Sequence, residues 1–239
     1  MQKVTPYNNS SNKKEQIVSM FDNIANNYDF LNHTLSLGMD HLWRKKAIKK
    51  IQNNPKHILD IATGTADFAI TAATFTKAQI IGIDISQGML NIGKKKIINK
   101  NLTKRITLQR EDSENLTFKD NSFDALTAGF GVRNFDDLDK GLSEMYRVLN
   151  KEGILVVLEP SIPESFVLKH IYRLYFHRIL PNIGSWISKD KNAYSYLPES
   201  VDAFPTSQEF ISKLKNTGFK DVECFKLTFG IVSLYVAIK

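Results

Sequence analysis

The chain has 239 residues, of which 42% are hydrophobic and 24% charged, and it carries a formal net charge of +7. This length suits one globular domain, or one domain with a helical extension, and allows a sizeable buried core. The single cysteine, Cys224, excludes an internal disulfide and a multi-cysteine metal site. We therefore expect a reducing, cytoplasmic setting, no metal, no signal peptide and no membrane-spanning helix.

The excess of basic over acidic residues has two functional interpretations, attraction to nucleic acid and attraction to an anionic membrane surface. A third interpretation is an ordinary surface of solvated lysines. The basic residues are scattered, and no basic run is interleaved with aromatic residues. We expect no nucleic-acid partner, and a non-catalytic nucleic-acid-binding protein stays as the alternative from a different functional class.

Helices and strands alternate along most of the chain. We predict helices over residues 15–52 with a break near Gly38, 66–75, 87–98, 136–149 and about 207–216, and strands over 57–61, 79–84, 106–109, 123–128, 154–158, 222–227 and 232–238. Five strands that alternate with helices indicate a parallel sheet, and the last two strands add an antiparallel hairpin at one edge. The predicted fold class is α/β: a Rossmann-like, doubly wound, mostly parallel sheet with a C-terminal antiparallel hairpin and an N-terminal helical extension.

Two of the predicted helices carry clear end signals. Ser86 is a suitable N-cap for the helix that begins at residue 87. Thr206 with Glu209 three residues later is typical of a capping box, and Gly218 is suited to end that helix.

Small and polar residues follow the predicted strands at the edge where ligands bind in open α/β sheets, outside the carboxyl ends of the strands. An acid at the tip of the second strand is placed to accept hydrogen bonds from a ribose diol. An acid after the third strand is suited to an adenine amino group. The candidate cofactor-binding residues are Thr63, Gly64, Thr65, Asp84, Asp112, Ser113 and Gly129.

The turn after the first strand points to a cofactor without a pyrophosphate. Its only glycine is Gly64, so it lacks the Gly-x-Gly-x-x-Gly fingerprint of dinucleotide sites. This disfavours a nicotinamide-dependent oxidoreductase. It favours S-adenosylmethionine, whose sulfonium cation suits nearby acids and aromatic rings.

Longer motifs run from Tyr28 to Arg44, from Asp120 to Asn134 and from Glu144 to Ser161. With the strand-end residues, they resemble class I S-adenosylmethionine-dependent methyltransferases, and more narrowly the UbiE/MenG family of quinone-biosynthesis C-methyltransferases. The resemblance covers roughly residues 17–236. One departure is Asp40, at a position where the family commonly has histidine.

The resemblance implies transfer of a methyl group from S-adenosylmethionine to a ring carbon of demethylmenaquinol, which gives menaquinol in menaquinone biosynthesis. C-methylation of a 2-methoxy-6-polyprenyl-benzoquinol in ubiquinone biosynthesis is the alternative that these residues leave open. We expect residues 1–52 to form an N-terminal helical extension and lid. Residues 53–239 then form the methyltransferase domain, with a helical insertion at about 162–200.

Two residues after the fourth strand are candidates for handling the quinol oxygen. Arg133 is placed to lower the quinol pKa by stabilising a phenolate, and Asn134 to orient a quinol oxygen. An alternative for Arg133 is simple pairing with Asp136 or Asp137.

The segment predicted to close over the cleft supplies the remaining catalytic candidates, which are Tyr28, Asp29 and His33. His33 is a candidate general base. Its alternative is an ordinary surface or packing residue.

An aromatic segment with interspersed lysine and arginine runs from Phe166 to Ile187. Because a prenylated quinol is insoluble, we expect transient contact with the inner face of a membrane, either through this segment or with the segment forming a tail-binding groove. A buried helical lid and a homodimer contact are the other interpretations.

Overall fold

A helical N-terminal segment leads into an alternating α/β chain in this computed structural model, which describes residues 4–7, 10–174 and 191–239. The elements are α1 (Lys13–Leu35), α2 (Met39–Ile48), β1 (His57–Ile61), α3 (Asp67–Phe75), β2 (Gln79–Asp84), α4 (Gln87–Asn99), β3 (Ile106–Arg110), β4 (Phe123–Gly129), α5 (Leu138–Val148), β5 (Leu149–Pro160), α6 (Phe166–Leu174), α7 (Lys191–Ala203), α8 (Ser207–Thr217), β6 (Lys220–Leu227) and β7 (Val232–Ile238).

The seven strands form one sheet in the order β3-β2-β1-β4-β5-β7-β6. Strands β1 to β5 pair in parallel, and β7 pairs antiparallel with both β5 and β6. The predicted fold class is therefore confirmed, including the C-terminal antiparallel pair. The strand order reverses between β1 and β4, which places the ligand-binding crevice of such sheets at the ends of these strands.

The predicted helix signals act as expected. The Ser86 hydroxyl accepts a hydrogen bond from the backbone N–H of Met89 at 3.1 Å and caps α4. Thr206 and Glu209 form the reciprocal capping box of α8, and Gly218 ends that helix with a φ of +117°. Both helices are thereby fixed at the residue that the sequence indicates.

The largest difference from the predicted strand bounds is in β5. β5 begins at Leu149, directly after α5, whereas the sequence pattern predicts a start at residue 154. The pairing of β4 with β5 shifts register between Phe123 and Ala125, and Glu152 adopts a positive φ of 59°. This irregularity lets the polar turn at the start of β5 remain in the sheet, a feature that an apolar pattern does not show.

Apolar side chains fill both faces of the sheet, and a third cluster attaches α1 to the rest of the molecule. Met20 and Ile24 are buried there together with Leu31. They pack with Met89 of α4 and Tyr196 of α7. This packing lays α1 across the carboxyl ends of the strands, so that α1 covers the crevice.

The predicted insertion at residues 162–200 contains α6 and most of α7. The part of the aromatic segment at 175–187 lies outside the described residues.

Candidate active site

A cleft, here called the strand-end cleft, lies between α1 and the carboxyl ends of the central strands. It is lined by Gly64, Asp84, Ile85, Met89, Asp112, Ser113, Gly129, Phe130, Asn134 and, from α1, by Lys14, Ile17, Phe21 and Tyr28. The structure thus brings five of the seven predicted cofactor-binding residues to one cleft. The other two, Thr63 and Thr65, are not among its lining residues.

Asp84 is held rigidly at the tip of β2. Its carboxylate accepts hydrogen bonds from the backbone N–H groups of Gly64 and Ser86, both at 2.9 Å. Gly64 has a φ of +55°, a conformation that glycine adopts easily and that forms this turn. Burial raises the pKa of Asp84 to about 6, against the hydrogen bonds that lower it. Asp84 is therefore an ionised acceptor in a fixed position at neutral pH.

Asp112 forms an ion pair with a lysine of α1. The Lys14 ammonium lies 2.6 Å from the Asp112 carboxylate and 3.2 Å from that of Glu114. Burial favours the neutral amine, but the hydrogen bonds to Asp112 and Glu114 outweigh it and raise the pKa of Lys14. Lys14 is thus a charged side chain inside the cleft, and no sequence pattern indicates it.

The two threonines of the turn have internal hydrogen-bond partners. The Thr63 hydroxyl donates to the buried Asp60 at 2.5 Å, and the Thr65 hydroxyl donates to Asp29 at 2.5 Å. Lys96 of α4 also binds Asp29, at 2.7 Å. Asp29 therefore attaches α1 to the turn, and it lines neither the cleft nor the cavity described next.

A larger apolar cavity of about 350 Å³ adjoins the cleft. Its lining, mostly from α1, α2, α6, α7 and the turn before β7, comprises Met20, Phe21, Ile24, Tyr28, Asn32, Leu35, Ser36, Met39, Asp40, Trp43, Arg44, Phe130, Arg133, Pro160, Pro163, Leu168, Tyr172, Ala193, Tyr196, Leu197, Phe229, Ile231 and Val232. Phe21, Tyr28 and Phe130 line both spaces. The cleft and the cavity therefore meet at these three aromatic side chains.

Arg133 is one of the charged groups that line the apolar cavity. Its guanidinium lies 3.1 Å from Glu159, which is fully buried at the end of β5. The other Glu159 oxygen accepts the backbone N–H of Val132 at 2.7 Å. The ion-pair partner of Arg133 is thus Glu159, whereas the alternative from the sequence was pairing with Asp136 or Asp137. Glu159 ends an apolar strand as Asp84 does, so the same signal could have identified it.

Two further catalytic candidates, Asn134 and Tyr28, also line the site. Asn134 accepts a hydrogen bond from the Tyr196 hydroxyl at 3.2 Å and lines the strand-end cleft. Burial raises the pKa of Tyr28, although the Arg133 charge and a hydrogen bond to Asn32 oppose the shift. Tyr28 is therefore a neutral phenol at the junction of the two spaces.

His33 lies behind the cavity wall. Its Nδ1 atom is 2.8 Å from the Asp40 carboxylate, and its Nε2 atom is 3.6 Å from that of Asp67. Asp40 lines the cavity, whereas His33 does not. Among the described contacts, His33 is linked to the cavity lining through its contact with Asp40.

The fold is that of methyltransferases that use S-adenosylmethionine. A SAM-dependent methyltransferase from Aquifex aeolicus superposes with a TM-score of 0.63 at 16% identity, covering 84% of this chain and 91% of that one. Phosphoethanolamine N-methyltransferase 2 of Haemonchus contortus, in complex with S-adenosyl-L-methionine, gives 0.61 at 19% identity, covering 83% and 52%. At these identities the likeness establishes the Rossmann-like fold alone.

Sequence similarity defines the family. Residues 9–239 match the ubiE/COQ5 methyltransferase family, and the chain belongs to it. It is 49% identical to the demethylmenaquinone methyltransferase of Bacteroides fragilis, over all of this chain and 98% of that protein. It is 42% identical to the enzyme of the same name from Porphyromonas gingivalis, with the same coverage. A ubiquinone/menaquinone biosynthesis C-methyltransferase UbiE from Geotalea daltonii is 45% identical, covering 95% and 97%.

Proposed function

We propose that the protein transfers a methyl group from S-adenosylmethionine to a ring carbon of demethylmenaquinol and so forms menaquinol. The observation that carries the proposal is the junction of a polar strand-end cleft with an apolar cavity at Phe21, Tyr28 and Phe130. A polar cofactor and an oily aromatic acceptor would meet there. The names of the relatives from Bacteroides fragilis and Porphyromonas gingivalis support this substrate.

The residues of the strand-end cleft fit the proposed cofactor, which supplies an electrophilic methyl group on a sulfonium. Asp84, an anchored anionic acceptor, would bind the ribose diol. Asp112 and Ser113 would face the adenine amino group. Ile85 and Met89 also line the cleft and would cover the faces of the base. Thr63 and Thr65 would act indirectly, by shaping the turn.

The acceptor ring would lie in the apolar cavity with one oxygen at Arg133. Loss of a proton from a quinol hydroxyl gives a phenolate, which pushes electron density onto the adjacent carbon. That carbon would attack the methyl group as the sulfur–methyl bond breaks and S-adenosylhomocysteine leaves, and transfer of the ring C–H proton to the oxygen would restore the aromatic hydroxyl. A fixed guanidinium in a water-poor cavity stabilises that anion strongly. Asn134 and Tyr28 would orient the ring at the junction, and His33, whose Nδ1 atom contacts the Asp40 carboxylate, would accept the proton.

A benzoquinol precursor of ubiquinone is the second candidate acceptor, because the relative named UbiE is about as similar to this chain as the two demethylmenaquinone methyltransferases are. The apolar lining of the cavity would suit either ring. The two relatives named above, at 49% and 42% identity over the whole chain, favour the naphthoquinol.

The mouth of the cavity suits contact with a membrane surface. Trp43 donates to Thr228 at 2.8 Å, and Ser161 donates to the Gly230 carbonyl at 2.7 Å, so α2, the end of β5 and the turn before β7 converge. Phe229 lines the cavity and is exposed, and further exposed apolar side chains lie close in the chain to the lining residues Ser36 and Leu168. We call this group the apolar rim: Leu37, Phe166, Val167 and Phe229. No helix in the described ranges is long and apolar enough to cross a membrane.

We infer that the apolar rim rests on the lipid surface while the prenyl tail enters the cavity. Phe229 both lines the cavity and is 80% exposed, which joins the rim to the substrate space. Lys169 and the exposed Arg173 on α6 would face anionic head groups. Residues 1–52 would serve as the lid, because α1 covers the cleft.

Methylation by the purified protein tests the function directly. We expect S-adenosylmethionine and a short-tailed demethylmenaquinol, kept reduced, to give the methylated quinol by mass spectrometry. The kcat/KM for this acceptor should exceed that for the demethylated benzoquinol. Binding of the cofactor without methylation of either quinol would overturn the proposal.

A further inference from the structure

A second arginine faces the apolar cavity from α2. Arg44 is only 7% exposed, and its guanidinium carbon lies 5.7 Å from the centre of the Phe130 ring. Phe130 is one of the three residues at the junction of the cavity with the strand-end cleft. Arg44 therefore places a fixed positive charge close to the junction.

Asp40 holds this guanidinium in place. Asp40 is 3% exposed and accepts hydrogen bonds from Arg44 and, at 2.9 Å, from Ser36. His33 lies 2.8 Å from the same carboxylate. Burial opposes the charge of Asp40, but Arg44, Ser36 and His33 outweigh it and lower the pKa of that carboxyl. The Asp40–Arg44 pair is thus charged throughout the physiological range.

Most of the hydrogen-bonding capacity of Arg44 is left for a ligand. A guanidinium has five N–H donors. Among the residues that the structure describes, Asp40 is the acceptor that Arg44 reaches. Arg133, by contrast, donates to Glu159, to the Phe130 carbonyl and to Ser200. Arg44 therefore has more N–H groups available to bind a ligand in the cavity than Arg133 has.

A buried ion pair of this kind is weak evidence for a stabilising role. Replacing a buried pair with apolar residues is often neutral or stabilising, because two charges must be removed from water. Here Arg44 and Asp40 both line a cavity whose other walls are mainly apolar. A polar ligand atom in the cavity would give the exposed donors of Arg44 a partner.

We propose that Arg44, positioned by Asp40, binds the second ring oxygen of the acceptor, while Arg133 binds the first. This rests on the proposed function and extends it: the site selects a 1,4-dihydroxy ring over a monophenol. Both arginines line the cavity and contact Phe130, Arg44 at its ring and Arg133 at its carbonyl oxygen, so each would meet a different oxygen of one aromatic ring. Arg44 would also favour the anionic form of that ring.

The test compares the diol with analogues that lack one oxygen. The probes are a short-tailed demethylmenaquinol and the two monohydroxy naphthalenes with the same tail. For Arg44→Met we expect KM for the diol to rise about 10- to 100-fold, the range for a lost hydrogen bond to a charged group. We also expect one monohydroxy analogue to bind the variant as tightly as the diol does. The Kd for S-adenosylmethionine should not change.

The controls separate this inference from folding and from the proposed function. Lys45→Met removes another cation from α2, one that contacts the Phe75 ring at 5.3 Å, and it should behave as wild type. Arg44→Lys retains a charge without the guanidinium fork, and we expect a smaller rise in the KM for the diol. This variant provides the test if Arg44→Met does not fold. Wild-type preference for the diol in either folded variant overturns the inference. Absence of methylation by the wild type would instead overturn the proposed function.

Discussion

Lys14 and Asp112 form an ion pair inside the strand-end cleft, with 2.6 Å between the ammonium and the carboxylate. Asp112 is also the residue proposed to bind the adenine amino group. A cofactor that enters the cleft must therefore share or displace the Lys14 contact. α1 thus covers the cleft and also competes for one of its acceptors.

Removal of this lysine is expected to strengthen cofactor binding. Both side chains are 34% exposed, so the pair is screened by solvent and its contribution is small. For Lys14→Met we expect the Kd for S-adenosylmethionine to fall by about 2- to 5-fold in calorimetry at low salt. Lys95→Met, an exposed cation on α4, is the matched control. Weaker binding by Lys14→Met would show that Lys14 contacts the cofactor instead of competing with it.

Cofactor affinity should depend on pH through Asp84. Burial raises the pKa of this carboxyl to about 6, so it loses its charge between neutral and mildly acidic pH. A charged acceptor forms the stronger hydrogen bonds, and we expect the affinity for S-adenosylmethionine to fall several-fold from about pH 7 to about pH 5. Asp84→Asn should bind about 10- to 100-fold more weakly and lose most of this pH dependence.

Protonation of Asp84 has opposite effects on the stability of the fold and on the affinity for the cofactor, so a loss of stability would not produce the expected loss of affinity. The pKa of Asp84 is higher in the folded protein than in the unfolded chain, so the folded state binds this proton more tightly. The resulting stabilisation is present at low pH and is lost as the pH rises through about 6. Melting temperatures recorded at each pH serve as the control. An affinity that stays constant across this range in the wild type would exclude Asp84 as the charged acceptor.

Arg133 and Glu159 allow catalysis to be separated from stability. Arg133→Met leaves a fully buried carboxylate without its cation, and we expect a loss of about 3–5 kcal/mol in the free energy of unfolding. Arg133→Met with Glu159→Gln removes both charges and should recover most of that loss. Turnover should stay about 100-fold or more below wild type in both variants, because the phenolate lacks its cation.

The measurements are denaturant unfolding, turnover at saturating cofactor and the Kd for S-adenosylmethionine. The cofactor Kd should be close to wild type in the double variant. Recovery of turnover together with stability in the double variant would show that Arg133 only holds the fold.

The strand-end acids were predictable because parallel strands bring their carboxyl ends to one edge of the sheet. Asp84 and Asp112 follow from this rule without any knowledge of tertiary contacts. Glu159 obeys the same rule and was overlooked, although it ends the apolar strand β5. For these acids, the position along a strand determines the position in the site.

Groups supplied by the helices could not be located in this way. Periodicity indicates that one face of α1 is buried, but it does not indicate which strands the helix crosses. Lys14 and Arg44 reach the two spaces only because α1 and α2 pack over them. His33 is the opposite case. Its imidazole makes it a candidate base from the sequence, but it contacts Asp40 and does not itself line the cavity. The docking of a helix thus decides which of its polar groups reach the site.

The apolar rim predicts how the protein binds to vesicles. In the apolar rim, Phe229 is 80% and Phe166 77% exposed, and burial of each ring in the lipid interface removes apolar surface from water. For Phe166→Ser with Phe229→Ser we expect sedimentation with anionic vesicles to fall about 10-fold or more at low salt. Ile98→Ser, on the exposed face of α4 and 61% exposed, should sediment as wild type.

A second measurement separates membrane contact from substrate binding. The double variant should keep the wild-type Kd for S-adenosylmethionine, because neither phenylalanine lines the strand-end cleft. It should also methylate a short-tailed, water-soluble quinol far better than a long-tailed quinol presented in vesicles. If the wild type does not sediment with anionic vesicles at low salt, the rim is not a lipid contact, and the prenyl tail must reach the cavity by another route.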